Sequence, residues 1–296
     1  MRDLQGIFPP IPTTFTGSGD VDPRAITANV EKWMRTGLAG ILALGSNGEA
    51  PLLDEDESDR VIAAARDAVP PDRVLLVGTG RESTRATIAA TRRAAALGAN
   101  AVLVRTPSTY KGQMTPDVLV AHYRGVADAS PVPVLLYNLP GVTGIVLTPA
   151  IVATLAQHPN IAGIKETSPD LERLGLFTQI GPFAVLCGWA PVVFPALMAG
   201  AAGAILAVAN VLPNECVELY EHQRHGRLEP ALSLQRRLTP IAQLVTATYG
   251  IAGLKMAMDL AGYHGGPVRP PLLPVSPPAR TQIEASLSAV HGAVLE

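Results

Sequence analysis

A lysine directly follows a short apolar segment near the middle of the chain. The segment Ile161-Ala-Gly-Ile164 has the composition of a buried strand, and Lys165 is the next residue. An ammonium group is costly to bury without a partner. An amine that has lost part of its hydration is also easier to deprotonate, and it can then attack a carbonyl carbon. Lys165 is therefore a candidate nucleophile for imine chemistry.

The residues alone leave a second interpretation of Lys165 open. A strand-end lysine commonly reaches water, and the adjacent Glu166 offers a carboxylate with which it could pair. Imine formation also needs an acid–base group that moves protons, and Tyr137 ends the preceding apolar run. Taken by itself, a lysine in this position is more commonly a solvated strand end than a nucleophile.

A second candidate for chemistry is the stretch Gly45-Ser-Asn-Gly-Glu49, which follows another apolar run. Two glycines flank small polar residues, and this pattern favours a turn with exposed N–H groups that can hold a carboxylate or phosphate. An ordinary strand–helix turn would have the same pattern. The sequence has no His-Glu-x-x-His motif, and its two cysteines, Cys187 and Cys216, are far apart. We therefore predict no metal site.

The composition excludes several classes of function. The chain has a net charge of −2 and only 4% aromatic residues, so it offers no electrostatic case for binding nucleic acid or an anionic membrane. Its 48% hydrophobic residues favour a large folded core over disorder. The N-terminus lacks the pattern of a secretory signal, and the cysteines do not suggest a disulfide framework. We expect a cytoplasmic location.

Short apolar runs recur along the chain and indicate how these candidates are positioned. Each run is apolar throughout, as expected of parallel strands that are buried on both faces. Segments with helical signals separate the runs; one of them has Asp22 as a predicted N-cap and Pro23 at the first helical position. Eight strand–helix units predict a (β/α)₈ barrel, with a doubly wound open sheet as the alternative. The runs begin at Gly6, Gly40, Val74, Ala101, Val134, Ile161, Phe183 and Gly203.

After Asn210 the strand signal stops and only helical patterns follow. We therefore predict a catalytic barrel over residues 1–224 and a C-terminal helical extension over residues 225–296. In a barrel of this kind, reactive groups gather at the carboxyl ends of the strands. That rule places Lys165, Tyr137 and the turn at residues 45–49 on the same face of the molecule.

Three segments together resemble a known family. GILALGSNGEA from Gly40, YNLPGVTG from Tyr137 and GIKETS from Gly163 are similar to the family of dihydrodipicolinate synthase and N-acetylneuraminate lyase. Members of this family are class I aldolases that consume or release pyruvate. Lys165 follows Tyr137 by 28 positions, which fits the spacing in the family. The resemblance covers essentially the whole chain, including the C-terminal helices.

The resemblance implies roles for individual residues. Lys165 would form the Schiff base with the substrate, and Tyr137 would carry protons. Ser46 and Asn47 would hold the pyruvyl carboxylate, with Ser46 also assisting the proton relay. The covalent imine would need no metal and no organic cofactor.

Other positions would line the substrate site. Thr167 would face the substrate, while Gly188 and Ile205 would line its pyruvate end, Ile205 mainly through its carbonyl oxygen. The family commonly places a tyrosine two residues after the proline of the fourth strand, where it reaches a neighbouring subunit. Here Thr109 occupies that position, so either Tyr110 takes over the role through a shifted loop or the relay between subunits is weakened.

Two departures from the family pattern narrow the substrate. Val142 stands where the synthases carry an arginine for the carboxylate of aspartate semialdehyde, and a valine cannot make that bidentate pair. Trp189 stands where sialic acid lyases carry an acidic residue for sugar hydroxyls. The Ser-Asn turn and the segments HPNIAGIKET and GIAGLKMAMDLAGYHGGPVRPPL look closest to 4-hydroxy-2-oxoglutarate aldolase.

The resemblance thus predicts an enzyme that cleaves 4-hydroxy-2-oxoglutarate, or a related 2-oxo-4-hydroxy acid, to pyruvate and an aldehyde. Its expected partners are a small 2-oxo acid and further copies of the chain, in a dimer of dimers. The alternatives are dihydrodipicolinate synthase, an aldolase or dehydratase of 2-keto-3-deoxy sugar acids, and a barrel that binds 2-oxo acids without turnover.

Overall fold

The eight apolar runs form eight parallel strands in the computed structural model, which describes residues 4–292. Every strand except the seventh begins at the predicted residue. The seventh begins one residue later than predicted, at Ala184. The strands are β1 Gly6–Phe8, β2 Gly40–Ala43, β3 Val74–Gly78, β4 Ala101–Arg105, β5 Val134–Asn138, β6 Ile161–Glu166, β7 Ala184–Cys187 and β8 Gly203–Ile205.

The strands follow one another around a barrel. Each strand from β2 to β7 pairs with the next one in the chain, and β8 pairs with β1. Backbone hydrogen bonds also connect β2 to the segment that follows β1. The Leu42 N–H donates to Pro9 O (2.9 Å), and the Ile11 N–H donates to Leu42 O (2.9 Å). The prediction of a (β/α)₈ barrel is confirmed, and the doubly wound open sheet is wrong.

Alternation along the strands divides the core into two parts. Phe8, Leu42, Leu103 and Leu135 belong to a cluster inside the barrel, whereas their strand neighbours contact the surrounding helices. Side chains of successive strand residues point to opposite faces, and here both faces are covered. This double burial explains why the strand sequences are apolar throughout.

Twelve α-helices lie within the described residues, most of them between consecutive strands. The first begins as predicted, with the Asp22 carboxylate accepting a hydrogen bond from the Ala25 N–H (3.1 Å) and Pro23 at the first helical position. The helices are α1 Pro23–Met34, α2 Glu55–Ala68, α3 Thr84–Ala96, α4 Pro116–Ala129, α5 Pro140–Thr143, α6 Pro149–Leu155, α7 Leu171–Thr178, α8 Val193–Met198, α9 Pro213–Arg224, α10 Leu228–Gln243, α11 Gly250–Leu260 and α12 Pro277–Gly292.

The C-terminal helices pack against the barrel. Helices α10 and α11 contribute Leu238, Ile241, Leu254 and Met258 to the same buried cluster as the outer faces of the strands. The division at residue 224 stays a prediction. Between residues 4 and 292, no helix has the length and apolar character needed to cross a membrane.

Arg269 ties the segment after α11 to the loops of the barrel. Its guanidinium makes a bidentate contact with Glu57, with both N···O distances at 2.7 Å, and it also donates to Leu52 O (2.8 Å). The hydrogen bonds from Arg269 lower the pKa of Glu57 to about 2, although partial burial of the carboxyl opposes that shift. Because the folded-state pKa is depressed, the pair stabilises the fold above the unfolded pKa and loses this effect as the pH falls towards 2.

We predict that Glu57→Gln lowers the free energy of unfolding at pH 7 by about 1.5 to 3 kcal/mol, the range for a charged hydrogen bond. The difference from the wild-type protein should shrink between pH 4.5 and pH 2, because the wild-type carboxylate is protonated there. Urea unfolding at several pH values measures both quantities. A difference that stays constant over this range would contradict the assigned role of the pair.

Candidate active site

Strand β6 carries two charged residues in succession, and both are buried. Lys165 points into the barrel beside Tyr137, while Glu166 points outwards to α7. The Glu166 carboxylate accepts hydrogen bonds from Asn138 Nδ2 (2.6 Å) and Arg173 Nε (3.2 Å). Because Glu166 already has its own cation on the opposite face, it does not pair with Lys165.

Lys165 has no carboxylate partner among residues 4–292. Its Nζ lies 3.4 Å from the Tyr137 hydroxyl and 4.5 Å from the centre of the Tyr137 ring. The side chain is 5% exposed, so the interpretation of a solvated strand end is wrong. Tyr137 and Lys165 are also register partners on neighbouring strands, which fixes their relative positions through backbone hydrogen bonds.

The other buried lysine has the partners that Lys165 lacks. Lys255 on α11 forms an ion pair with Glu49 and donates to Pro267 O (2.7 Å). Burial lowers the pKa of Lys255, and the Glu49 carboxylate opposes that shift. Lys255 is therefore held as a structural cation, whereas the amine of Lys165 is available to a ligand.

The turn after β2 has an unusual backbone. Ser46–Gly48 form one turn of 3₁₀-helix, flanked by Leu44 at φ 55° and Glu49 at φ 53°. Positive φ is uncommon for residues other than glycine, and such strain concentrates at functional sites. The Thr13 hydroxyl fixes the turn by donating to Gly48 O (2.7 Å).

Glu49 holds the far end of this turn. Its side chain is buried, and its carboxylate pairs with Lys255 and accepts a hydrogen bond from the Arg269 N–H (2.9 Å). The strained conformation of the turn thus depends on residues more than 200 positions later in the chain. The segments around α11 therefore support the geometry of Ser46 and Asn47.

A cavity of about 290 Å³ opens at the carboxyl ends of β2 to β5. Ser46 and Tyr137 line it together, and the Tyr137 hydroxyl connects it to Lys165, which is not itself part of the lining. Gly78 lies at the wall, where a Cβ atom would come within 2.1 Å of Leu44 O. Within the described residues, no group of three or more His, Cys, Asp or Glu could hold a metal ion.

Further predicted substrate residues surround Lys165. A Cβ on Gly188 would lie 2.1 Å from Thr167 Oγ1 and 2.8 Å from Lys165 Cε, so the glycine makes room for the lysine. Thr167 Oγ1 is buried without a hydrogen-bond partner among the described residues. Ile205 is buried in the same inner cluster as Tyr137. The structure places Gly188 and Thr167 beside Lys165, and the roles of all three predicted residues in binding stay predictions.

Three positions of interest lie away from the cavity. Tyr110 is 73% exposed and does not line the cavity of its own chain, so its role in a neighbouring subunit stays a prediction. Val142 lies on α5, and its uncharged side chain is 63% exposed. Trp189 is half-buried directly after Gly188, at the end of β7.

Arg105 and Glu82 also line the cavity, although neither was predicted from the sequence as a site residue. Arg105 is the last residue of β4 and pairs in register with Tyr137. Its guanidinium contacts the Glu82 carboxylate at 3.2 Å. The sequence pattern could have identified Arg105. It lies two residues after Leu103, and alternation along a strand places both side chains inside the barrel.

A family model matches nearly the whole chain. The model describes the dihydrodipicolinate synthetase family, and the match covers residues 3–290. This chain belongs to that family. The relatives and the solved structure described next agree with the assignment over 96–99% of their own lengths.

Among the relatives, a 4-hydroxy-tetrahydrodipicolinate synthase of Exiguobacterium is 33% identical, with 95% of this chain and 96% of the relative covered. A protein of Emericella nidulans named "Probable 4-hydroxy-2-oxoglutarate aldolase, mitochondrial" is 36% identical, with 97% and 96% covered. The crystal structure of YagE, a family member from E. coli K12 in complex with pyruvate, superposes with a TM-score of 0.92 at 32% identity, covering 97% of this chain and 99% of that one.

These comparisons establish the enzyme class. The chain is a lyase of the dihydrodipicolinate synthetase family with the barrel fold of its relatives. The relatives are named both as synthases and as aldolases at similar identity. The names of the relatives therefore do not decide the substrate.

We predict that Gly188→Ala lowers the lyase activity at least about tenfold, because the new methyl group would displace Thr167 and Lys165. Gly175→Ala on α7 is the matched control, since a Cβ there would meet no atom within 4 Å. Initial rates and thermal unfolding of both variants separate a local effect from misfolding. Full activity in Gly188→Ala would contradict the close packing around the lysine.

Proposed function

We propose that this enzyme cleaves 2-oxo-4-hydroxy acids, with 4-hydroxy-2-oxoglutarate as the favoured substrate, to pyruvate and an aldehyde. The observation that carries the proposal is the buried amine of Lys165, which lies 3.4 Å from the Tyr137 hydroxyl and has no carboxylate partner in the described chain. Imine formation requires an unpaired amine and a nearby group that can donate and accept protons, and Lys165 and Tyr137 supply these two groups.

The first half of the reaction joins substrate to enzyme. The Lys165 amine attacks the C2 carbonyl, and the resulting carbinolamine loses water to give an iminium. Tyr137 donates its proton to the departing hydroxide. The turn at Ser46 and Asn47 would hold the C1 carboxylate through its N–H groups and side chains. No step in this sequence needs a metal ion or an organic cofactor.

The second half breaks the carbon–carbon bond. The Tyr137 oxygen accepts the proton of the C4 hydroxyl, and the C3–C4 bonding electrons move to the iminium nitrogen. The aldehyde leaves, and an enamine of pyruvate remains on Lys165. Protonation at C3 restores the iminium, and its hydrolysis releases pyruvate and the free amine. With 4-hydroxy-2-oxoglutarate, the aldehyde is glyoxylate.

Synthesis from pyruvate and aspartate semialdehyde is the second candidate function. Several relatives with 32–36% identity are named as 4-hydroxy-tetrahydrodipicolinate synthases, and this favours it. The exposed, uncharged Val142 counts against it, because that position offers no partner for the carboxylate of the semialdehyde. The complex of YagE with pyruvate supports a pyruvyl intermediate in either case.

We expect the wild-type enzyme to release pyruvate from 4-hydroxy-2-oxoglutarate, as measured by coupling to lactate dehydrogenase. Tyr137→Phe should lower kcat by roughly 10²- to 10⁴-fold, the range for loss of a general acid–base group, with a smaller change in KM. Ring closure with pyruvate and aspartate semialdehyde is measured in parallel. Efficient synthesis with no cleavage would contradict the proposed function and favour the second candidate.

A further inference from the structure

Arg105, Tyr137 and Lys165 form one layer across three neighbouring strands. Arg105 pairs with Tyr137 in the register of β4 with β5, and Tyr137 pairs with Lys165 in the register of β5 with β6. Adjacent strands lie about 4.8 Å apart, so the Arg105 and Lys165 Cα atoms are about 10 Å apart. A short substrate attached to Lys165 would therefore pass Tyr137 and extend towards the Arg105 guanidinium.

Glu82 positions Arg105, and both oxygens of its carboxylate accept hydrogen bonds. One carboxylate oxygen contacts the guanidinium, and the other accepts hydrogen bonds from the N–H groups of Ser108 (2.9 Å) and Thr109 (2.8 Å). These N–H groups lower the pKa of Glu82 despite its partial burial. The contact at 3.2 Å is the one hydrogen bond that the Arg105 guanidinium makes within the described chain, so several of its donors stay free.

Arg81 adds a second guanidinium to the same cavity. Its Nη1 donates to Gly80 O (3.2 Å), and it forms no ion pair within residues 4–292. Burial lowers the pKa of Arg81, and the nearby charge of Arg105 acts in the same direction. The charge of Glu55 opposes this shift, and Glu55 is itself paired with Arg93. The cavity thus holds two arginines and one carboxylate, and the excess charge is positive.

We propose that Arg105 and Arg81 bind a second carboxylate at the far end of the 2-oxo acid, so that the enzyme selects dicarboxylates. The inference rests on the proposed function, because it takes the C2 carbon to be attached to Lys165. Planar guanidinium groups suit a carboxylate, and donors left unpaired in the cavity would penalise a substrate with an apolar tail. The leaving aldehyde is then an oxo acid such as glyoxylate.

The test compares two substrates that differ only at the tail. One is 4-hydroxy-2-oxoglutarate, and the other is 4-hydroxy-2-oxopentanoate, which has a methyl group in place of the second carboxylate. Arg105→Gln and Arg81→Gln remove one charge each from the cavity. Arg60→Gln on α2 is the matched control, because Arg60 is exposed and does not line the cavity.

We expect the wild-type enzyme to prefer the dicarboxylate at least about tenfold in kcat/KM. Each cavity variant should lose about 10- to 100-fold in kcat/KM on the dicarboxylate, mainly through KM, because the lost contact is a charged hydrogen bond. Pyruvate release from the methyl-tailed substrate should stay within about twofold in every variant, which also shows that the variants fold. Arg60→Gln should resemble the wild type on both substrates.

Three results would overturn the inference while the retro-aldol function stands. They are equal wild-type kcat/KM on the two acids, no loss in either cavity variant, and equal losses on both substrates. The last would assign the arginines to the shared C1 carboxylate. Release of pyruvate from neither acid by the wild-type enzyme would contradict the proposed function itself, and the inference would fall with it.

Discussion

The site depends on the alternation of side chains along β6. Lys165 and Glu166 are consecutive and both buried, so a strand must direct one into the barrel and the other towards the helices. Glu166 finds Asn138 and Arg173 on its own face, and the charge of the carboxylate is balanced there. Lys165 is left inside with Tyr137 as its polar neighbour. A shift of one residue in register would exchange the two faces and abolish the site.

The turn at Ser46–Gly48 depends on a different part of the chain. Leu44 and Glu49 adopt strained backbone conformations, and such strain persists only where surrounding contacts impose it. Those contacts come from Thr13 on one side and from Lys255 and Arg269 on the other. The C-terminal segments therefore contribute to the shape of the active site as well as to the core. The Glu49 carboxylate thus connects the turn at Ser46–Gly48 to the C-terminal segments.

Much of the fold followed from the sequence, because strands buried on both faces leave apolar runs that are easy to locate. The rule that reactive groups gather at strand ends brought Tyr137 and the turn at Ser46 together, and Lys165 lies next to them. Arg105 was missed because reactive residues of the fourth strand were sought only from Thr106 onwards, whereas Arg105 is the last residue of β4. The partners of Glu49 could not be predicted, since contacts across more than 200 residues leave no local pattern.

The proposed chemistry requires that the amine of Lys165 forms an imine with a 2-oxo acid. Reduction with borohydride in the presence of pyruvate fixes such an imine as a stable secondary amine, which mass spectrometry can locate. We expect one added 1-carboxyethyl group, the reduced form of the pyruvate imine, on the peptide that contains Lys165, and none when Lys165 is replaced by arginine. An adduct on Lys255 or on any other lysine, or no adduct at all, would contradict it.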